Sequence, residues 1–432
     1  MMVTTTRYAI RFRSALWLWV LMLILCNAGY SINECVPTSI PPMTSSPTAT
    51  CGATRTLPPL ATRTATPTAS PKTTPTVTPT ATAIPKLGDV VWRFSCPDKQ
   101  ELNELAYDAG LVVSGSSLGT KLYALEATTG QLRWSHDLSE PLDQSCRGPL
   151  NLSATTVFAC TPGSLSALRR ADGLPLWSVK LAPMAWHCHP TLLGERLVLI
   201  SNNDLLWALD VTTGERVGAF SAGGPIVDVA VSEGAIYIST PNMIGKLNSG
   251  TREWLWRASV DRVQSDFALS EDTVYVSVEE VGSGNEPVVA FDALRGHKLG
   301  EFLVQPSKPD DGWAATRPLF SHDMLYIWAS WSTKKGRLDR HTLYAIQPDG
   351  LKEKWHYDIG GWIEAFAIAE NRAYFVTLFG PVHAVDLDSG REAWSFDLTK
   401  SQFLSEGASV VVAKDRLILA GLYQVIAVNI VE

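Results

Sequence analysis

The sequence predicts an all-β protein, an eight-bladed β-propeller built from four-stranded antiparallel blades, and three observations carry that reading. A phrase recurs with a period of about forty residues, the spacing of propeller repeats. Its clearest copies are LYALEATTGQLRWSHDL (122–138), LWALDVTTGERVGAF (206–220) and VHAVDLDSGREAWSFDL (382–398). Each copy is an alternating apolar run, a Thr/Asp/Gly turn and a second alternating run ending near a Trp. Period-two alternation on both sides of a glycine turn marks a β-hairpin. A second, more apolar hairpin precedes each phrase, as in ELAYDAGLVVSGS (104–116), SEDTVYVSV (270–278) and AIAENRAYFVTL (367–378). Two hairpins make four strands, a to d, which is one blade.

The a–b hairpins begin near residues 104, 149, 191, 226, 266, 317, 364 and 408, so eight blades are expected. Only seven c–d hairpins are complete. The last blade stops at strand c, Tyr423 to Asn429, and text matching a strand d stands at the other end, Asp89 to Phe94. The ring is therefore predicted to close by pairing the first strand with the last hairpin, which leaves no open sheet edge.

Trp92, Trp134, Trp177, Trp256, Trp355 and Trp394 occupy equivalent places in strand d. A single blade is too thin to bury a core, so these indoles are expected to wedge between neighbouring sheets rather than stack on an aromatic ligand. Gly218 and Gly300 stand where two further tryptophans belong; Trp207 and Phe302 are the expected fillers.

Three regions follow: an export signal or membrane anchor (1–29), a Thr/Pro-rich disordered stalk (30–86) and the propeller (87–432). Arg7, Arg11 and Arg13 precede an apolar run from Ala15 to Leu25. A basic segment before so short a run is the pattern of an export signal and is short for a spanning helix. Cys26 follows directly as a candidate lipidation site, although Leu25 stands where a lipobox has a small residue; Ala28 and Gly29 offer ordinary cleavage instead. Residues 37–85 hold 16 Thr and 11 Pro, a composition that cannot collapse into a core.

Seven cysteines stand at 26, 35, 51, 96, 146, 160 and 188. Losing Cys26 with the signal leaves an even number, as suits an oxidising compartment. Cys35 with Cys51, and Cys146 with Cys188, are conceivable pairs, whereas Cys160 reads as a small buried hydrophobe. No CxxC pair suggests zinc or redox chemistry. The whole chain carries −7, and because residues 1–86 hold seven Lys/Arg and one Asp/Glu, the ring alone carries −13. So acidic a surface argues against nucleic acid, whose phosphates need basic partners.

The phrase L-Y-A-L-D-x-x-T-G-x-x-x-W resembles the pyrroloquinoline-quinone-like (PQQ-like) repeat, and Leu122 to Trp134 reproduces it almost throughout. The resemblance covers about residues 88–432. It implies the propeller of the quinoprotein alcohol dehydrogenase-like superfamily. Quinone-using members resemble one another in a vicinal cysteine pair, a Ca²⁺ site and long inserted loops. This chain has no adjacent cysteines and spends about 43 residues per blade. It is closer in style to the BamB-like propellers, which the resemblance implies are non-catalytic scaffolds.

Candidate contact residues cluster in the connectors that lead into strand a and in one b–c connection. The first are Trp186, His187, Cys188 and His189; Asp310, Asp311, Gly312 and Trp313; and Gly361 and Trp362 with Glu364. His187, Cys188 and His189 are metal-capable, but no fourth ligand is evident, so no metal site is assigned. Trp186, Trp313 and Trp362 could form a recognition patch, since Trp is enriched at binding hot spots, or could pack over the channel mouth. Loop 329–342, the longest b–c insertion, carries Lys334, Lys335, Arg337 and Arg340 on an otherwise acidic ring. There is no phosphate-binding glycine loop, no H-E-x-x-H and no G-x-S-x-G. The expected function is an exported, envelope-associated, non-enzymatic binding or scaffold propeller. It would contact a protein or cell-wall polymer as a monomeric ring without cofactor, touching the membrane only through its N-terminus. A PQQ- or Ca²⁺-dependent oxidoreductase and a ligand-sensing ectodomain are the alternatives.

Overall fold

The computed structural model describes residues 9–11 and 85–431, apart from 117, 143–147, 183–188, 265–266, 280–285, 306–310, 334–337, 361–362, 379–380 and 399–407. The chain divides into two units, Met1–Arg13 with Pro75–Glu432, and Ser14–Thr74. All described residues belong to the first. The expected signal and stalk thus lie outside the described residues, except residues 85–86 and a short strand, Ala9–Arg11, which pairs antiparallel with Ile363–Ala369.

Eight antiparallel sheets form the ring, each holding strands a to d in order. They span 104–137, 150–180, 191–221, 228–259, 262–302, 311–359 and 363–397, and the eighth joins 409–429 to 90–95. At five of the eight seams the strands a of neighbouring blades pack against one another, which sets them around the axis. The core is not one mass but eight buried clusters, each drawn from two adjacent blades.

The closing strand is as expected. Val90–Ser95 pairs with Gln424–Asn429, with Phe94 opposite Val425 and Trp92 opposite Ala427. Even the missing turn is rebuilt from two ends of the chain. Gly88 N donates to Asn429 O (2.9 Å) and Asn429 N to Asp89 O (2.9 Å). In blade 1 the covalent turn makes the same two bonds, Gly130 N to Glu126 O (2.8 Å) and Glu126 N to Gln131 O (2.9 Å).

The repeated tryptophans do join blades, and the geometry explains the repeat. Each indole of strand d reaches the c–d turn of the next blade. Trp92, Trp134, Trp177, Trp256 and Trp355 donate their Nε1–H to the carbonyls of Ala127, Arg170, Val211, Ala293 and Leu387 at 2.9–3.0 Å. Their rings lie on the turn glycines Gly130, Gly173, Gly214, Gly296 and Gly390, where an added Cβ would fall 2.4–2.5 Å from the ring. The repeat's T-G is therefore the receiving half of a joint whose inserting half is the Trp of the preceding blade. The split seventh-to-eighth joint differs: Trp394 Nε1 finds no acceptor, Arg372 takes the equivalent carbonyl of Ile430 (3.5 Å), and Gly88 faces Phe396 instead.

Two expectations need correction. At Gly218 the vacancy is approached not by Trp207 but by Arg252, whose guanidinium stands 3.0 Å from where a Cβ would be. Trp207 belongs to the cluster between blades 2 and 3, with the Arg216 guanidinium 5.0 Å from its ring. At Gly300 the space is taken by Leu351, while Phe302 packs beside it in the same cluster. Cys160 is buried as expected but is disulfide-bonded rather than a plain hydrophobe. Because Cys96 is free, its partner lies outside the described residues, as do the Cys35, Cys51, Cys146 and Cys188 pairings considered above.

Candidate functional site

With strands alternating in direction, the connectors into strand a and the b–c turns share one edge of the ring; the a–b and c–d turns share the other. Blade 6 breaks the uniformity of the first edge. Its strands are Asp311–Ser321, Met324–Thr333, Leu338–Gln347 and Lys352–Ile359, up to 11 residues long where the other blades reach at most 7. Its a–b turn, at 322–323, is as short as elsewhere, so the extra rungs stand at the b–c end. Loop 329–342 is accordingly a correction: most of it is strand, with Trp331 opposite Arg340 and Ser330 opposite His341. Only 334–337 remains between the strands. Asp311 and Trp313 are likewise in a strand rather than in a connector, at an irregularity between Asp311↔Thr333 and Ala314↔Trp331.

A buried polar-aromatic network stiffens the base of this extension. Trp328 Nε1 donates to Ser330 Oγ (3.1 Å), which also meets His341 Nδ1 (3.1 Å), and the imidazole stacks on the Trp328 ring at 5.2 Å. Trp331 Nε1 donates to Thr342 Oγ1 (3.1 Å), whose hydroxyl donates to Asp358 Oδ1 (2.8 Å). Burial pushes the His341 imidazole down to about 4, so it is neutral at neutral pH. Trp328 also faces Phe366 and Phe375 of blade 7 at 5.3 and 5.5 Å, tying the extension to its neighbour. Trp328, Trp331 and His341 are not among the candidates the sequence singles out; the signal that could have found Trp328 and Trp331 is the apolar run from Met324 to Ala329, which Trp331 extends by one more residue.

Elsewhere on this edge the described connectors are pinned by polar contacts. In 96–103, Tyr123 Oη donates to Asp98 Oδ2 (2.6 Å) and Lys121 Nζ lies 2.9 Å from the same oxygen. The Tyr123 bond and then Lys121 hold the Asp98 carboxyl below its ordinary range, while desolvation and Asp98 push the Tyr123 phenol up. His189 Nδ1 sits 2.9 Å from Gly148 O, and Asn151 Nδ2 donates to Pro190 O (2.7 Å), linking the connectors into blades 2 and 3. His189 is thus placed as a connector residue. Trp186, His187, Trp362, Lys334, Lys335 and Arg337 lie outside the described residues, and only the backbone of Trp313 is described. Among the described residues no three His, Cys, Asp or Glu side chains gather as metal ligands.

Residues 80–281 and 284–431 match the PQQ-repeat family described as outer membrane protein assembly factor BamB. The chain belongs to that family. No curated protein sequence matches it. Among solved structures this BamB-family ring is similar to the computationally designed protein Ika8, at 14% identity and TM-score 0.59, covering 78% of this chain and 98% of that one. It is also similar to Sqt1 of Saccharomyces cerevisiae, at 10% identity and TM-score 0.60, covering 80% and 100%. A third is the quinohemoprotein alcohol dehydrogenase ADHIIG of Pseudomonas putida HK5, at 12% identity and TM-score 0.55, covering 80% and 76%. At such identities the likeness is one of fold. Blade architecture alone does not assign chemistry.

Proposed function

We propose that the protein is an exported, non-enzymatic binding ring of the cell envelope that holds a protein or wall-polymer partner on the edge from which blade 6 projects. The observation that carries this reading is the blade 6 extension. A long hairpin, with the Trp328–Ser330–His341 contacts near its base, leads into the segment 334–337, whose sequence carries Lys334, Lys335 and Arg337 on a ring whose net charge is strongly negative. A basic tip on an acidic body favours an acidic partner. Family membership supports an envelope role, and the Cys160 disulfide supports an oxidising compartment. The N-terminal 1–29 would direct export, and 30–86 would hold the ring off the membrane or wall. Cleavage after the signal would also remove Ala9–Arg11 from the edge of Ile363–Ala369.

Envelope extract captured on the full chain, with and without neutralisation of Lys334, Lys335 and Arg337, tests the reading. The expected result is a salt-sensitive partner lost or slowed in the neutralised variant, with Trp313→Ala and Trp362→Ala weakening capture without unfolding the ring. Equal capture by all variants overturns the assignment to this edge. Retention of added pyrroloquinoline quinone after desalting overturns its non-enzymatic part.

A further inference from the structure

Among the described strands, only the sheet of blade 7 continues past strand a on the channel side. Its order is Ala9–Arg11, Ile363–Ala369, Arg372–Thr377, Pro381–Asp386 and Glu392–Asp397, whereas each other sheet ends at its strand a. Ala9 stands opposite Ala367, Ile10 opposite Phe366 and Arg11 opposite Ala365. The added strand also lies against Ser409–Ala413, strand a of blade 8. Both faces of Ile363–Ala369 are already taken. Ala365, Ala367 and Ala369 pack into the cluster shared with blade 8, and Ile363, Phe366 and Ile368 into the cluster shared with blade 6. What remains on the channel side is a backbone edge, a row of N–H and C=O groups that an extended segment can pair.

The sequence of the added segment carries the same reading independently. Residues 7–13 set Tyr8, Ile10 and Phe12 between Arg7, Ala9, Arg11 and Arg13. That is strict period-two alternation with residues that favour strands, whereas an export signal needs basic residues there but no alternation. Three arginines also suit a ring whose net charge is −13. We infer that the channel edge of Ile363–Ala369 is a strand-addition site and that residues 7–13 of this chain are its occupant. The segment is held through main-chain hydrogen bonds, and the contact masks both sides. A docked segment caps the edge against any other extended chain, and the ring in turn holds the basic residues that precede the apolar run 15–25. Removing the segment uncovers the edge at the centre of the ring. The inference does not rest on the blade 6 edge binding a partner.

Residue-resolved hydrogen exchange on the full chain, purified in mild detergent with residues 1–29 intact, tests it. In an antiparallel sheet alternate residues of Ile363–Ala369 bond to Arg372–Thr377, and the others direct their amides toward the channel. Those channel-facing amides should exchange about tenfold faster or more in Ala9→Pro/Ile10→Pro than in the wild-type chain, with the amides of Arg372–Thr377 unchanged. Two adjacent prolines are used because one of any two neighbours in a strand directs its N–H at the partner. Neither substitution touches the core of the ring, so the variant should fold and melt as the wild type does. A synthetic peptide of residues 7–13, added in excess to the variant, should restore the slow exchange, and the same peptide carrying both substitutions should not. Equal exchange in the two chains, or no difference between the two peptides, would overturn the site.

Discussion

The seam between blades 2 and 3 and the seam between blades 3 and 4 use the same two positions with the bulk on opposite sides. In the first, Trp177 inserts onto Gly214. In the second, Gly218 receives Arg252, which stands at the turn position that is Gly214 in blade 3. Blades 5 and 6 repeat the exchange with Gly300 and Leu351. Both incoming residues hold the left-handed backbone that the glycines hold, Arg252 at φ 62° and Leu351 at φ 46° against 71° for Gly214. The turn is conserved in shape even where it costs a side-chain residue about 1 kcal/mol or more to adopt it. What the ring demands is therefore one bulky partner per joint, not a tryptophan at each strand d.

The comparison breaks most visibly if one side of a regular joint is removed. Trp177→Ala leaves the Val211 carbonyl unpaired and a cavity against Gly214, and should cost roughly 3–5 kcal/mol. Arg252→Ala, at the exposed exchanged joint, should cost under about 1 kcal/mol. Denaturant titration of the two variants checks this; equal losses would mean that the two kinds of joint carry equal load.

The seam between blades 6 and 7 holds a buried imidazole. His341 has its pKa lowered from 6.5 to about 4, so the unfolded chain binds its proton first as pH falls. Stability should therefore be complete above about 6.5 and fall as pH drops toward 4, by about 3 kcal/mol in all. The carboxyls of Asp98, Asp210, Asp386 and Glu392 are held low, so their losses set in as pH falls through their unfolded values, from about pH 5 downward, overlapping the lower end of that window. His341→Phe should flatten the melting temperature between pH 6.5 and 4.5, whatever it does to stability at pH 7. An unchanged slope would take His341 out of the account.

Smaller, and opposite in sign, is the effect of undoing the exchange. Gly218→Trp with Arg252→Gly should raise stability by about 1–2 kcal/mol, by burying apolar surface and relieving the left-handed Arg. Either single change should gain less, because the two positions share one space and will not be additive. A double-mutant cycle in denaturant reads the coupling directly.

Most of the fold was legible because the repeat writes its own joint: the T-G and the Trp are the two halves of one contact. The split blade was legible for the same reason, since Asp89 to Phe94 is recognisable strand d text. What escaped the sequence was where a joint departs from the repeat. Gly218 and Gly300 announce a vacancy, but the filler comes from the next blade's turn, about thirty-five to fifty residues on, and neither Trp207 nor a local aromatic signals it. The site was less legible. Basic residues at 334–337 could be noted, but the strands under them looked like a loop because charged and polar residues interrupt the pattern beyond Trp331. Their pairing rests on His341 and Thr342 being satisfied inside the sheet, which alternation alone does not reveal.

The finest distinction lies between two tryptophans that look alike in the sequence. Trp355 donates its Nε1–H to Leu387 O at 3.0 Å, whereas Trp394, at the joint with the split blade, has no acceptor for its own. Replacing either by Phe removes similar apolar bulk, so the difference between the two isolates the hydrogen bond. Trp355→Phe also strands a carbonyl and should be the costlier by about 1 kcal/mol. Trp394→Phe removes an unpaired buried N–H and keeps an aromatic ring beside Phe396, whose centroid is 5.1 Å away. Its loss should be correspondingly mild. Were Trp394→Phe instead the more damaging, the indole N–H of the split joint would have an acceptor after all, and the rebuilt turn at Gly88 and Asn429 would be a tryptophan joint like the other five.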